Sequence, residues 1–115
     1  MALFSQTARG EFDTGTDEVV LVAGPSEGVR IVTMIRLSNL DSASITPTLR
    51  VRYADFTDRD EYLTIIPDLL LGAGKFREIA GPFEVLRPGE DLVVNLAAAP
   101  TTTNPTWTAI WIEER

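Results

Sequence analysis

Residues 83–96 read FEVLRPGEDLVVNL and carry the pattern of two short strands separated by a tight turn. At its centre, Pro88 sets φ at the first corner of a type II turn, and Gly89 supplies the positive φ that the second corner requires. After the turn, Leu92, Val94 and Leu96 fall on one face of an extended chain, because successive side chains of a strand point to opposite sides. The pattern therefore predicts a strand on each side of a type II turn.

The same combination of a short apolar run and a turn recurs along the chain. Gly, Pro, Asn or Asp bounds each run, and no convincing helical period separates the runs. The predicted strands are Val19–Ala23, Val29–Leu37, Thr48–Ala54, Glu61–Ile66, Lys75–Ala80, Phe83–Leu86, Leu92–Ala97 and Thr106–Glu113. Such spacing is typical of an all-β fold, and we predict a single antiparallel β-sandwich, jelly-roll-like or Ig-like, of about eight short strands.

Two segments of the chain differ in composition. Residues 1–18 are polar, with Leu3, Phe4 and Phe12 as their sizeable apolar groups, and they predict an extended N-terminal arm or a weak edge strand. Residues 19–115 hold all the strand patterns listed above and predict the β-sandwich domain. The whole chain has 115 residues, which is long enough for one domain with its own core.

Composition narrows the chemistry open to this chain. It has no cysteine and no histidine, which removes disulfides, thiolate metal sites, thiol nucleophiles and the commonest general base. The net charge of −7 disfavours nucleic acid as a partner, since phosphate binding needs a concentrated positive surface. The start lacks the pattern of a secretory signal, and no stretch approaches the roughly 20 apolar residues of a membrane helix. We therefore expect a soluble protein that is made in a cytoplasm and has no membrane partner.

Two local motifs invite a functional interpretation. Residues 72–75, Gly-Ala-Gly-Lys, share part of a phosphate-binding loop, but Leu69 stands where the motif needs a glycine and Phe76 where it needs a hydroxyl. The acidic residues between Asp55 and Glu61 favour a solvated loop, with a bound cation left as an alternative. We predict no enzyme, no catalytic residue, no cofactor and no metal site.

Several strands carry apolar residues on both faces. In the strand at residues 29–37, Val32 and Met34 alternate with a predicted core face, and Ile110 and Ile112 do so in the last strand. A sandwich strand normally has one polar face, so apolar residues on both faces indicate a partner or a covering arm. We favour a homo-oligomer and predict Val32, Met34, Ile110 and Ile112 as its interface.

Arginine outnumbers lysine nine to one, and four arginines are predicted on the outward faces of two adjacent strands. Arginine is favoured in protein interfaces because its guanidinium is planar and weakly hydrated. A docking patch is one interpretation, and ordinary solvated arginines are the other. The four residues are Arg30, Arg36, Arg50 and Arg52.

Residues 20–32, residues 37–41 and residues 81–94 carry a resemblance to a known class of protein. They read VLVAGPSEGVRIV, LSNLD and GPFEVLRPGEDLVV, and they resemble the small β-sandwich virion accessory proteins of tailed bacteriophages. The resemblance implies a non-enzymatic virion structural protein, with a capsid decoration or cement protein preferred. It also implies trimers on the outer shell, contact with the major capsid protein or other virion proteins, and docking of the N-terminal arm through Phe4 and Phe12.

Two alternatives stay open beside this interpretation. The resemblance also covers a neck or tail component of the virion as an alternative. A carbohydrate-binding or receptor-binding module is the other, in which Trp107, Trp111, Tyr53 or Tyr62 would form an exposed stacking platform. Alternation places Trp107 and Trp111 on one face, which suits a core as well as a platform.

Overall fold

Eight antiparallel strands in two sheets make up the computed structural model, which describes residues 3–12, 16–57, 59–67 and 69–114. The strands are β1 Leu3–Glu11, β2 Val19–Val22, β3 Val29–Ser38, β4 Pro47–Tyr53, β5 Tyr62–Ile66, β6 Phe76–Leu86, β7 Glu90–Leu96 and β8 Thr106–Glu114. The described residues contain no helix of the length and apolarity that crossing a membrane requires.

The strand order is that of a jelly roll. The first sheet runs β1-β8-β3-β6 and the second runs β2-β7-β4-β5, so successive strands cross between sheets several times. This arrangement confirms the predicted antiparallel β-sandwich. Of the two predicted forms, jelly-roll-like and Ig-like, the strand order is that of the jelly roll. The predicted turn before β7 is also confirmed, because Gly89 has φ of 82° and the Glu90 amide donates to the Arg87 carbonyl at 3.0 Å.

The core lies between the two sheets and follows the alternation of the strands. In β7, Leu92, Val94 and Leu96 are buried in it, as their shared face predicted. Leu49 and Val51 of β4 continue this layer in the second sheet, and the facing layer comes from the first sheet. Burial of these aliphatic side chains supplies most of the driving force for the fold.

A β-bulge in β3 changes which side chains face the core. The register of β3 shifts between Val32 and Met34 against both neighbouring strands, and the Thr33 hydroxyl donates to the Ile110 carbonyl at 3.2 Å. One extra residue reverses the alternation, so Val32 on one side of the bulge and Ile35 on the other both point inward. The uniform alternation expected for this strand is therefore wrong before the bulge and right after it.

The strand β6 is one element where two were expected. The predicted strands Lys75–Ala80 and Phe83–Leu86 join through Gly81, which has φ of 86°, and Pro82. Three residues of β6 lie opposite the single bulge residue of β3, so the chain kinks without leaving the sheet. Glycine and proline indicated a break, but pairing with β3 on both sides of the kink keeps the strand continuous.

The N-terminal segment contributes an edge strand to the first sheet. Residues 3–11 form β1, which pairs with β8 without a register shift over its whole length. After β1 the Phe12 amide donates to the Pro105 carbonyl at 2.9 Å, and the Phe12 ring enters the core. Phe12 thereby fixes the end of β1 to the sandwich.

A polar clamp joins the loops at one end of the sandwich. The Asn39 amide group donates to the carbonyls of Leu71 and Gly72 at 3.0 and 3.1 Å. The Asp41 carboxylate accepts backbone N–H bonds from all three residues of the run 101–103, at 2.8, 2.8 and 3.1 Å. These bonds, the Thr101 amide first, hold the pKa of Asp41 well below its usual range. Asn39 and Asp41 are buried structural residues.

Candidate interaction surfaces

An apolar surface covers the outside of the first sheet. Two consecutive cross-sheet rows compose it: Thr7, Ile110, Met34 and Ala80 in one, and Ser5, Ile112, Ile31 and Val85 in the other. We call its six apolar members the apolar face: Ile31, Met34, Ala80, Val85, Ile110 and Ile112. None of the six belongs to the buried core, whose side chains point to the other side of the sheet.

The predicted interface residues fall into two groups. Met34, Ile110 and Ile112 lie together on the apolar face, and their role in an interface stays a prediction. Val32 has 0% of its surface exposed, because the bulge turns it into the core. A side chain with no exposed surface cannot contact a second chain while the sandwich is intact, so the interface prediction for Val32 is wrong.

A charged row borders the apolar face at one end. Across the sheet it runs Arg9, Thr108, Arg36 and Glu78, in the order β1, β8, β3, β6. The guanidinium of Arg36 lies over the Phe76 ring, with its carbon 4.2 Å from the ring centre. Both ends of the row are exposed, a cation on β1 and an anion on β6.

The outside of the second sheet has the opposite character. Arg52 forms ion pairs with Glu18 and, at 2.7 Å, with Asp91. The Tyr62 hydroxyl donates to Glu18 at 2.9 Å, and Arg50 stacks on the Tyr62 ring at 3.8 Å. We call these five residues the ionic face, a network whose charges are satisfied within one chain.

The ionic face shields one apolar residue of the second sheet, Val93, and shifts the titration of its own members. Val93 lies opposite Arg50 on the outer side of β7 and has 0% exposed surface. Hydrogen bonds to Asp91 and Glu18 raise the pKa of Arg52, and the hydrogen bond to Glu18 raises the pKa of Tyr62 above its usual value. Both shifts follow from donors held against carboxylates.

The four predicted docking arginines do not share one surface. Arg36 of β3 lies on the first sheet, whereas Arg50 and Arg52 of β4 lie on the second, so the prediction of one shared patch is wrong and a docking role for any one arginine stays a prediction. The chain crosses between sheets after β3, which alternation along one strand does not reveal. Arg30 precedes the bulge and bonds instead to Glu113 at 2.5 Å and to the Ala23 carbonyl at 2.7 Å. Arg36 alone of the four lies beside the apolar face.

The two predicted docking phenylalanines also separate. Phe4 of β1 keeps 44% of its surface exposed and remains a candidate for docking. Phe12 keeps 2% and packs in the core, so the docking prediction for Phe12 is wrong. Phe12 follows β1 at the point where the chain turns inward. The polar residues around Phe12 gave no indication that its ring is buried.

The two tryptophans contribute to the inner side of the first sheet. Trp107 and Trp111 are partly buried and pack against the core. Gly10 of β1 passes over the Trp107 indole so closely that an added Cβ would lie 2.8 Å from the ring. This position suits the core interpretation of the pair better than an exposed stacking platform.

The other sequence motifs form no site among the described residues. Gly74 has φ of 71°, and the Lys75 amide bonds to the Gly72 carbonyl at 3.1 Å, as in an ordinary tight turn. No group of three or more potential metal ligands occurs within residues 3–12, 16–57, 59–67 and 69–114. Asp58 of the acidic loop lies outside the described residues.

Sequence reasoning missed several members of the two faces. Ile31 and Val85 belong to the apolar face, but the assumed alternation in β3 assigned Ile31 to the core. Glu18 and Asp91 complete the ionic face from distant parts of the chain. A local signal existed for Val85, since it alternates with Glu84 and Leu86, but none existed for the pairing of Glu18 with Arg52.

Comparison with known proteins finds similarity at the level of the fold. No family model matches this chain, and no curated protein matches its sequence. A solved capsid structure of Helicobacter pylori bacteriophage KHP30 has a TM-score of 0.53 at 20% identity, over 94% of this chain and 85% of that chain. A chain of the disulfide-linked pili of Bacillus endospore appendages has a TM-score of 0.50 at 12% identity, over 96% and 85%.

A third similar structure is larger than this protein. The infectious bursal disease virus Gx strain structure has a TM-score of 0.50 at 9% identity. The match covers 96% of this chain but 32% of that chain, so this protein spans about a third of it. At these identities the likeness shows a shared sandwich architecture.

Proposed function

We propose that this protein is a non-enzymatic structural component of a virion, and specifically a capsid decoration or cement protein that binds and stabilises the outer shell. The observation that carries the proposal is the apolar face on the outside of a complete jelly roll. The sandwich already has a core, so this second apolar surface is available for contact with protein.

Three further observations support a place in a virion. Jelly rolls are a recurrent fold of capsid proteins, and two of the similar structures are described as a phage capsid and a virus. The turn and strand motifs resemble tailed-phage accessory proteins. The structural role also agrees with carboxylates that are engaged in bonds within the chain, as Asp41 is with Thr101 and Asp91 with Arg52.

In this role the protein assembles in the host cytoplasm and contacts the major capsid protein. Phe4 is the strongest docking candidate, because it is a large apolar side chain exposed on an edge strand. A ring of this size gains free energy on burial in a pocket of a partner, with roughly 1.5–3 kcal/mol for full burial. Arg36 adds a cation close to the apolar face.

Co-sedimentation with undecorated capsids of the virus that encodes the chain tests the proposal. We expect the purified protein to pellet with the capsids and to raise their melting temperature. Phe4→Ser should weaken binding by about tenfold or more. Phe56→Ser, which replaces another exposed phenylalanine on a loop of the second sheet's side, is the matched control and should bind normally.

Three outcomes would overturn the assignment to the shell. They are a wild-type protein that stays in the supernatant at tens of micromolar, capsids whose melting temperature is unchanged, and immunogold label at the neck or tail of intact particles. The last outcome would assign the protein to the neck or tail instead. A loss of binding in both phenylalanine variants would overturn the specific role of Phe4.

A further inference from the structure

The charges of the described side chains on the outside of the first sheet cancel, although the chain as a whole is strongly acidic. The chain carries a net charge of −7. Among the side chains described on this surface, the charged ones are Arg9, Arg36, Glu11 and Glu78, and these cancel. Like-charged copies of a protein repel each other least through a surface that is itself neutral. This surface is therefore where two copies can approach.

The two ends of the charged row match each other after a two-fold rotation, with Arg36 facing the neutral Thr108 between them. Consider an axis parallel to the strands, midway between β8 and β3, in the plane between two stacked sheets. Rotation about it places β8 over β3 of the other copy and β1 over β6, at the same height along the strands. Arg9 then faces Glu78 of the other copy, and this pair forms twice.

The same rotation also matches the apolar rows by size. Ile110 faces Met34 of the other copy, and Ile112 faces Ile31, so large side chains meet in the middle. Toward the edges, small or short side chains such as Ser5 and Ala80 leave room for the packing. Sheets stacked with nearly aligned strands, about 30° apart and roughly 10 Å between faces, are the ordinary packing of two such surfaces.

We propose that the apolar face binds a second copy of this chain in a two-fold dimer that is aligned by two Arg9–Glu78 ion pairs. The occupant is a second copy, because the two ends of the charged row, Arg9 and Glu78, carry opposite charges and meet each other under the rotation. A dimer of this kind differs from the trimer that the family resemblance implies. The inference goes beyond the virion role and does not depend on it: the second copy covers the apolar face, and Phe4, on the other side of β1 from Ser5, remains the docking candidate for the capsid.

Charge reversal with mixing tests the geometry directly. The single variants Arg9→Glu and Glu78→Arg each place like charges opposite one another twice, and each should weaken the dimer by about tenfold or more. In an equimolar mixture, a heterodimer has opposite charges at both contacts. The two introduced side chains face each other at one contact, and the native Arg9 of one chain meets the native Glu78 of the other at the second. The mixture should therefore form a heterodimer with close to wild-type affinity.

Sedimentation equilibrium gives the dissociation constant, and native mass spectrometry identifies the heterodimer. The wild-type dimer has twice the 12.6 kDa of the chain. Arg77→Glu reverses a charge on the neighbouring residue of β6, whose side chain points to the other side of the sheet, and it should leave the dissociation constant within about twofold. Circular dichroism and melting curves establish that every variant is folded.

A wild-type monomer at high concentration, a trimer, or a mixture no tighter than its parts would overturn the inference. So would Arg77→Glu weakening association as much as Arg9→Glu does. Each of these measurements uses purified protein without capsids. A failure here therefore leaves the capsid proposal standing, and a failure to bind capsids leaves the dimer standing.

Discussion

The two outer surfaces of this sandwich differ in how their outward-facing side chains are paired or covered. On the second sheet, the ionic face connects Glu18, Arg52 and Asp91 and covers Val93, so each charge has a partner within the chain. On the first sheet, the apolar face presents Met34, Ile110 and their neighbours with no covering layer from the described residues. One surface has its charges paired within a single chain, and the other is the surface that we propose a partner covers.

The contrast shows why a jelly roll of this size can serve in an assembly. Exposed apolar area costs about 25 cal/mol per Å² relative to burial, and this cost is recovered when a partner covers it. An internally satisfied ionic network has little left to offer a partner and resists association with other surfaces. We therefore propose that the second sheet forms a solvent side of the protein and the first sheet a contact side.

The largest expected effect on the free energy of unfolding is at the bulge of β3, which separates a core residue from a residue of the apolar face. Val32 points inward and Met34 outward, although both would face the same way in a regular strand. Val32→Ala should lower the free energy of unfolding by about 2 kcal/mol, because it removes two buried methyl groups and leaves a cavity. Met34→Ala in dilute solution should cost less than about 1 kcal/mol. Urea denaturation measures both, and equal costs would contradict the bulge.

The next largest effect on stability is expected from removing the central cation of the ionic face. Arg52→Met removes the guanidinium that holds Glu18 and Asp91, and leaves two half-buried carboxylates without their main donor. We expect a loss of about 1–2 kcal/mol in the free energy of unfolding, since the group is partly exposed and solvent screens its charge.

Arg59→Met is the matched control for this variant. Arg59 is more exposed and lies 3.9 Å from Glu90, so its replacement should change the free energy of unfolding by less than about 0.5 kcal/mol. Neither substitution touches the first sheet. A change in self-association on replacing Arg52 would show that the two outer surfaces are not independent.

The smallest expected effect is a change in how stability depends on alkaline pH, and it concerns the Tyr62 hydroxyl of the ionic face. The Tyr62 hydroxyl donates to Glu18, which raises the pKa of Tyr62 above the usual value of about 10. The bond therefore contributes stability that is fully present below about pH 10 and is lost as the pH rises through the higher folded-state pKa. Tyr62→Phe should remove this part of the alkaline loss of stability, whereas Tyr53→Phe should retain it. Urea titrations across this range measure it, and identical curves would refute the role of Tyr62.

Local patterns predicted the architecture well because turns and alternation are local. The Pro88-Gly89 turn and the shared face of Leu92 and Leu96 depend on near neighbours only. The position of the bulge at Thr33 depends on two partner strands, which the sequence of β3 does not contain. Because the one-residue bulge was not predicted, Val32 was assigned to the interface although it lies in the core.

The candidate site was harder to predict than the fold because it depends on which sheet each strand joins. Arg36 and Arg50 lie on strands that are consecutive in the sequence, and from that order we predicted that their side chains share one surface. In a jelly roll these strands belong to different sheets, so their side chains project from opposite sides of the molecule. The apolar character of Ile110 and Met34 was nevertheless visible, since an apolar residue on the polar side of an alternation needs no long-range information.

Hydroxyl-radical footprinting at increasing protein concentration tests the contact side most directly. Met34 lies at the centre of the apolar face, and Tyr62 lies on the ionic face of the same chain as an internal reference. Covering of the apolar face by a second copy should reduce the oxidation rate of Met34 severalfold from micromolar to millimolar concentration while that of Tyr62 stays constant. Equal rates at all concentrations, or protection of Tyr62 in place of Met34, would contradict the division of the molecule into a contact side and a solvent side.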